Sequence, residues 1–185
     1  MSTRASRRDP TVARPSTCCG RRAGLLAALL LSACATLGPP PMEPLTGAAL
    51  DAAEGRWRAH ATGAYHLVVS VRAPRFEPAV YELDVAAGRP LTVTRNGDPL
   101  GPAELAHHDY SIDGLFALLR SDLTLNAVTA DGDIPPIDLR AAFEPESGRL
   151  VRYRRTVGSS RRRVLLVEVM RYEELPAARV ASVAG

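Results

Sequence analysis

Three groups of residues in this chain are of types that could do chemistry. His107-His108-Asp109 sets two imidazoles and a carboxylate side by side, and with His66 they supply donors of the kind that hold zinc. No spacing fixes a further ligand, and the plainer reading is a set of solvated loop side chains. Asp131-Gly132-Asp133 offers hard oxygens suited to calcium but lacks the later acidic ligands of a calcium loop, so an acid-rich turn is the simpler account. The densest group is basic: Arg149, Arg152, Arg154, Arg155, Arg161, Arg162 and Arg163 lie along one strand-turn-strand stretch. Arg152 and Arg154 share a face opposite Val151 and Tyr153, and the others crowd the turn. Arg152, Arg154, Arg155, Arg161, Arg162 and Arg163 thus form a candidate anionic-ligand patch, suited to the phosphates of lipid headgroups or lipopolysaccharide because a guanidinium adds bidentate hydrogen bonds to its charge. The competing reading is a hairpin guarded by arginines that pair with Glu144, Glu168, Glu173 or Glu174.

The chain has no Gly-x-Ser-x-Gly elbow, phosphate loop or His-Glu-x-x-His pattern. The sequence therefore assigns no catalytic residue, no metal and no cofactor, and the expectation is a non-enzymatic protein.

The elements that would position these residues follow from periodicity. Leu45, Ala49, Leu50, Ala53 and Trp57 recur at helical spacing and predict a helix over about 46–59. Tyr65, Leu67, Val69 and Val71 alternate with polar residues, as do Tyr81, Leu83 and Val85, which is the mark of half-buried strands. Ala87-Gly88 turns the chain into Leu91-Thr92-Val93-Thr94, and Asn96-Gly97 closes that strand. Ser111 is placed to cap a second helix with Asp113 in its first turn, and Ile112, Leu115, Phe116, Leu119 and Leu123 form its apolar stripe. Ile137 to Phe143, Leu150 to Val157 and Val164 to Tyr172 read as three more strands, the last apolar on both faces over Val164-Leu165-Leu166-Val167, as a central strand is. Helix, three strands, helix, three strands predicts an α+β domain: an antiparallel sheet of about six strands packed against one or two helices.

Ahead of this domain, Arg21-Arg22 followed by the apolar run Ala23 to Leu31 and then Ser32-Ala33-Cys34 has the form of a bacterial lipoprotein signal peptide with its lipobox. That apolar stretch is too short to span roughly 30 Å of hydrocarbon. The expected organisation is residues 1–33 as signal peptide, 34–44 as acylated Cys34 plus a stiff tether containing Pro39-Pro40-Pro41, 45–175 as a single α+β domain, and 176–185 as a flexible tail. The segment before the arginine pair is long, which places the translation start near Val12. Two or three acyl chains on Cys34 would hold the domain on a membrane outside the cytoplasm, and Ala35, not aspartate, at the next position favours the outer membrane where there are two. Cys18 and Cys19 would leave with the leader, so the mature domain has no disulfide.

Every one of the 23 basic residues is arginine. Six of them and one of the 20 acidic residues precede Cys34, which leaves 17 and 19 in the mature part. The positive charge of the whole chain belongs to the leader and offers no argument for nucleic-acid binding.

Trp57 with the paired strands after it, the string Tyr110-Ser111-Ile112-Asp113-Gly114-Leu115-Phe116 and the strand Gly148-Arg149-Leu150-Val151-Arg152-Tyr153 resemble the bacterial domain of unknown function 6174 family, which is common in small exported lipoproteins. The likeness covers roughly residues 55–173. The chain departs from many members by having Ala73-Pro74-Arg75-Phe76 where they carry a close cysteine pair. The resemblance implies export and a fold, and supplies no activity. The resulting expectation is a lipid-anchored cell-envelope protein, a binding or structural module with an envelope protein as partner and an open oligomeric state. The alternatives are a carrier of an apolar or anionic lipid-like ligand, with a cavity lined by Leu67, Val69, Leu83, Phe116 and Phe143, and a metal-dependent hydrolase using His107, His108 or Asp109.

Overall fold

Thr46 opens the first helix: its hydroxyl accepts a hydrogen bond from the Ala49 amide at 3.2 Å, one of the donors a helix start leaves without a partner. From that cap α1 (Gly47–His60) runs with Leu50, Ala53 and Trp57 buried, at the three- and four-residue spacing that puts them on one face. The computed structural model describes residues 40–61, 63–101, 104, 109–129, 135–158 and 163–176. Within them β1 (Glu43–Pro44) precedes α1, and β2 (Ala64–Arg72), β3 (Ala79–Ala86), β4 (Arg89–Arg95) and β5 (Asp98–Pro99) follow it. Then come α2 (Ile112–Thr129), β6 (Ile137–Phe143), β7 (Leu150–Val157) and β8 (Val164–Glu174).

The strands form one sheet in the order β1-β6-β7-β8-β2-β3-β4-β5, every neighbouring pair antiparallel. The class is α+β, as expected, with eight strands instead of about six. The two additional ones, β1 and β5, are two residues each, too short to show any alternation of side chains. Both are an acid followed by proline, Glu43-Pro44 and Asp98-Pro99, and both lie at the outer edges of the sheet. A charge and a missing amide at each edge discourage another chain from pairing there. The sheet thus begins at Glu43, inside the stretch expected to be tether, because Glu43 pairs with Ala141 and the Leu45 amide bonds the Leu139 carbonyl at 2.9 Å.

Alternation sorts the strand residues into two faces. The inner face carries Tyr65, Leu67, Val69 and Val71 from β2, Tyr81, Leu83 and Val85 from β3, Tyr153 from β7 and Val167 from β8, all buried. The stripe of α2 joins them: Ile112, Leu115, Phe116 and Leu119 are buried, and Phe116 stacks on Phe143 with ring centroids 6.1 Å apart. Leu123, further along, is half-buried. Trp57, Tyr65 and Tyr172 form an aromatic cluster where α1 meets the sheet, with Trp57 edge-on to the other two at 5.6 and 5.9 Å. Arg120 ties the helices together through Asp51 at 3.0 Å and Glu54 at 2.5 Å.

Two glycines are required by contact. A Cβ on Gly148, which has φ 73, would lie 2.1 Å from the Ala53 carbonyl oxygen, so the turn between β6 and β7 presses directly on α1. A Cβ on Gly114 would lie 2.2 Å from the carbonyl oxygen of Asp109, so the first turn of α2 folds back on the segment leading into it.

Candidate functional site

The start of α2 is built from the string Tyr110 to Phe116. Ser111 Oγ accepts from the Gly114 amide at 3.0 Å, as a cap should, and Asp109 Oδ1 accepts from the Ser111 amide at 2.9 Å. The Ile112 amide donates to the Tyr65 hydroxyl at 3.0 Å. Asp113 accepts from the indole nitrogen of Trp57 at 3.1 Å, which locks α1 to α2. Burial pushes the Tyr65 phenol well above its ordinary range. Each polar atom named here serves as a helix cap or a cross-brace, so the string acts as a joint between the helices and the sheet.

A second polar cluster lies beneath α2. Asp122 is buried and accepts from the Tyr153 hydroxyl at 2.6 Å and from Arg155 at 2.5 Å. Burial, with that hydrogen bond second, drives the Tyr153 phenol far above its usual value. Arg155 therefore belongs to the inner face, opposite Leu139 and Leu165. It is not part of one surface with Arg152 and Arg154, and the patch expected from the sequence is divided by the pleat.

On the outer face the ladder sets Ala142, Arg152, Glu168 and Ser70 in one row and Arg140, Arg154, Leu166 and Arg72 in the next. Arg152 pairs with Glu168 at 2.9 Å, and Arg72 approaches the same carboxylate at 3.4 Å. Arg140 and Arg154 share Asp138, each at 3.3 Å. The pairing of arginine with Glu168 follows the expectation for a guarded hairpin. Glu144 instead closes its own turn through the Ser147 amide at 2.6 Å, and hydrogen bonding from the Ser147 side chain first, with that amide second, holds its carboxyl below the usual range. Further across the same face, His66 directs Nδ1 to Asp84 at 2.8 Å and Nε2 to Glu82 at 3.2 Å.

The zinc constellation is not assembled by the described residues. His66 projects from the outer face of β2 while Asp109 caps the helix on the inner side, and His107 and His108 lie outside the described residues, as do Asp131, Asp133, Arg161, Arg162 and Cys34. No group of three His, Cys, Asp or Glu among the described residues is disposed to hold a metal.

A cleft of about 330 Å³ opens at the end of the β7–β8 hairpin, lined by Pro74, Arg75, Arg155, Val157, Arg163 and Leu165. Sequence reasoning named Arg155 and Arg163 but not Arg75, which arrives from the β2–β3 connection and has φ 67. It also missed Asp122. That residue sits three after Leu119 and seven after Leu115, so a carboxylate in the apolar stripe was the available signal. Other clefts lie between the first described prolines and β6, about 350 Å³, and beneath the exposed Phe76, about 300 Å³.

The fold and this site define an α+β domain with helices on one sheet face and a charge-bearing face left uncovered by the described elements. No family model matches the chain, and neither a curated protein nor a solved structure shows detectable similarity to it. No helix among the described residues is long and apolar enough to cross a membrane.

Proposed function

We propose that the chain is a lipid-anchored cell-envelope protein whose α+β domain is a non-enzymatic binding module. The anchor rests on the lipobox ending at Cys34, and the resemblance to the domain of unknown function 6174 lipoproteins on the residues quoted for it. One structural observation favours a module over a carrier: Leu67, Val69 and Leu83 have no accessible surface, so no void large enough for a water touches them, and Phe116 is filled in against Phe143. Close packing around these residues favours the module over a carrier that uses them as its cavity. The surfaces open to recognition include the outer sheet face, where Arg72, Arg140, Arg152 and Arg154 stand beside Asp138 and Glu168 at one end and His66 lies among acids at the other, and the clefts at its margins.

Crosslinking in the native envelope, immunoprecipitation and mass spectrometry test this, with Cys34→Ser as the mislocalised control and labelled palmitate to read acylation. A reproducible protein partner lost in Cys34→Ser, with palmitate on the parent chain alone, supports the reading. Absence of palmitate removes the anchor, and co-purified lipid without protein moves the function to a carrier.

A further inference from the structure

The cleft at the end of the β7–β8 hairpin is lined by arginines from three separate segments. Arg75 comes from the β2–β3 connection, Arg155 from the inner face of β7, and Arg163 from the residue before β8. Its remaining walls are Pro74, Val157 and Leu165, and among the described residues no carboxylate lines it. The three cations are not equivalent. Arg155 is held by the buried Asp122 at 2.5 Å, and Asp122 is held in turn by Tyr153, so one wall is fixed and its charge is already matched. Arg75 and Arg163 form no ion pair with any described residue, while Arg72, Arg140, Arg152 and Arg154 on the open face each have a carboxylate. Two exposed arginines that no described carboxylate pairs therefore line the cleft.

Arg75 adds a second observation. It holds φ 67, a left-handed backbone that costs a side chain with a Cβ about 1 kcal/mol and that glycine or asparagine adopts more readily. A strained backbone that brings to a cleft a cation with no described carboxylate partner is poor design for stability alone.

We propose that this cleft is a binding site for a phosphate group, held by Arg75, Arg155 and Arg163. A carboxylate is planar and is satisfied by one guanidinium fork, whereas a phosphate is tetrahedral, presents oxygens in several directions and, as a monoester near neutral pH, carries close to two negative charges. Three arginines from separate segments around one cleft suit that shape, and Arg75 and Arg163, which no described carboxylate pairs, suit that charge. Pro74, Val157 and Leu165 would contact the carbon portion next to the phosphate. The proposal gives the binding-module reading a ligand class and rests on that reading. Its test uses purified protein, so failure here leaves the anchoring and partner experiment standing.

Isothermal titration calorimetry of the full chain in detergent at low ionic strength, with inorganic phosphate, glycerol phosphate and glycerophosphoglycerol as probes, decides the matter. The expected result is saturable binding of a phosphate probe with a dissociation constant below about 1 mM, weakened at least tenfold by Arg75→Asn and by Arg163→Gln. Because asparagine suits the left-handed backbone, Arg75→Asn should leave the melting temperature unchanged or raised, which a purely structural role for Arg75 does not produce. Arg171→Gln, distant on the outer face, is expected to bind as the parent does. Tighter binding of the monoester than of the diester points to a soluble phosphate compound, and equal or tighter binding of the diester points to a lipid headgroup; both support the site. Absence of saturable heat with all three probes, or affinities unchanged in both variants, overturns it.

Discussion

Arg154 and Arg155 are consecutive in β7, yet the first lies on the open face beside Asp138, 49% exposed, and the second reaches beneath α2 to Asp122, 5% exposed. Both pairs are an arginine with an aspartate. In water the attraction is largely screened and offset by side-chain entropy, so an exposed pair contributes between nothing and about 1 kcal/mol. Out of water, removing one partner strands a buried group, and the loss is several times larger. The two faces of this sheet therefore teach that an ion pair's contribution is set by its surroundings more than by its chemistry. The inner face uses polar groups sparingly and makes each one structural, whereas the outer face holds many and depends on none of them singly.

The sharpest test is Asp122→Ala, which leaves the Tyr153 hydroxyl and Arg155 without their acceptor. A loss of about 3 kcal/mol in denaturant unfolding is expected, and a loss below about 1 kcal/mol would break the distinction between the faces. A second test uses pH. The phenols of Tyr65 and Tyr153 are raised above the ordinary value and that of Tyr110 is pushed up to about 12, burial being the chief cause in each. Below about pH 10 both folded and unfolded chains keep these protons. Above it the unfolded chain releases them first, so unfolding free energy should fall steadily as pH rises beyond 10. Tyr153→Phe should flatten that decline, and an unchanged slope would remove Tyr153 from the account.

Gly114→Ala addresses the joint at the start of α2. Alanine in an open helix position gains about 1 kcal/mol over glycine, but here the methyl meets the Asp109 carbonyl, so a net loss of about 1–3 kcal/mol is expected in thermal unfolding. Trp57→Phe keeps the ring packing and removes the bond to Asp113, with an expected cost of about 1 kcal/mol. The smallest effect belongs to the outer face: Asp138→Ala should change stability by less than about 1 kcal/mol and do so less as salt is added.

The long elements were legible because each buries one face. Tyr65 to Val71 shows a period of two and Ile112 to Leu119 a period near 3.6, and both patterns survive without knowledge of partners. The Ser111 cap was legible as well, because capping is settled within four residues. What escaped depends on chain segments meeting from afar. Asp122 and Arg155 are 33 residues apart, and no local pattern announces their contact. Arg75 reaches Arg163 only because β8 returns to pair with β2. The edge strands escaped for the opposite reason: two residues carry no period, and their pairing shows only against β6 and β4.

The position of β8 bears on how the molecule is made. The last of the described strands, it sits between β7 and β2 near the middle of the sheet, and among them it alone joins the group β1-β6-β7 to the group β2-β3-β4-β5. A chain growing from its N-terminus therefore carries two unjoined half-sheets until Val164–Glu174 is delivered, and each half exposes an unpaired strand along its full length. Contacts this distant in sequence form slowly. A polypeptide that postpones its own closure in this way stays threadable through a narrow pore up to its final strand, at the expense of open edges that would need guarding while it waits.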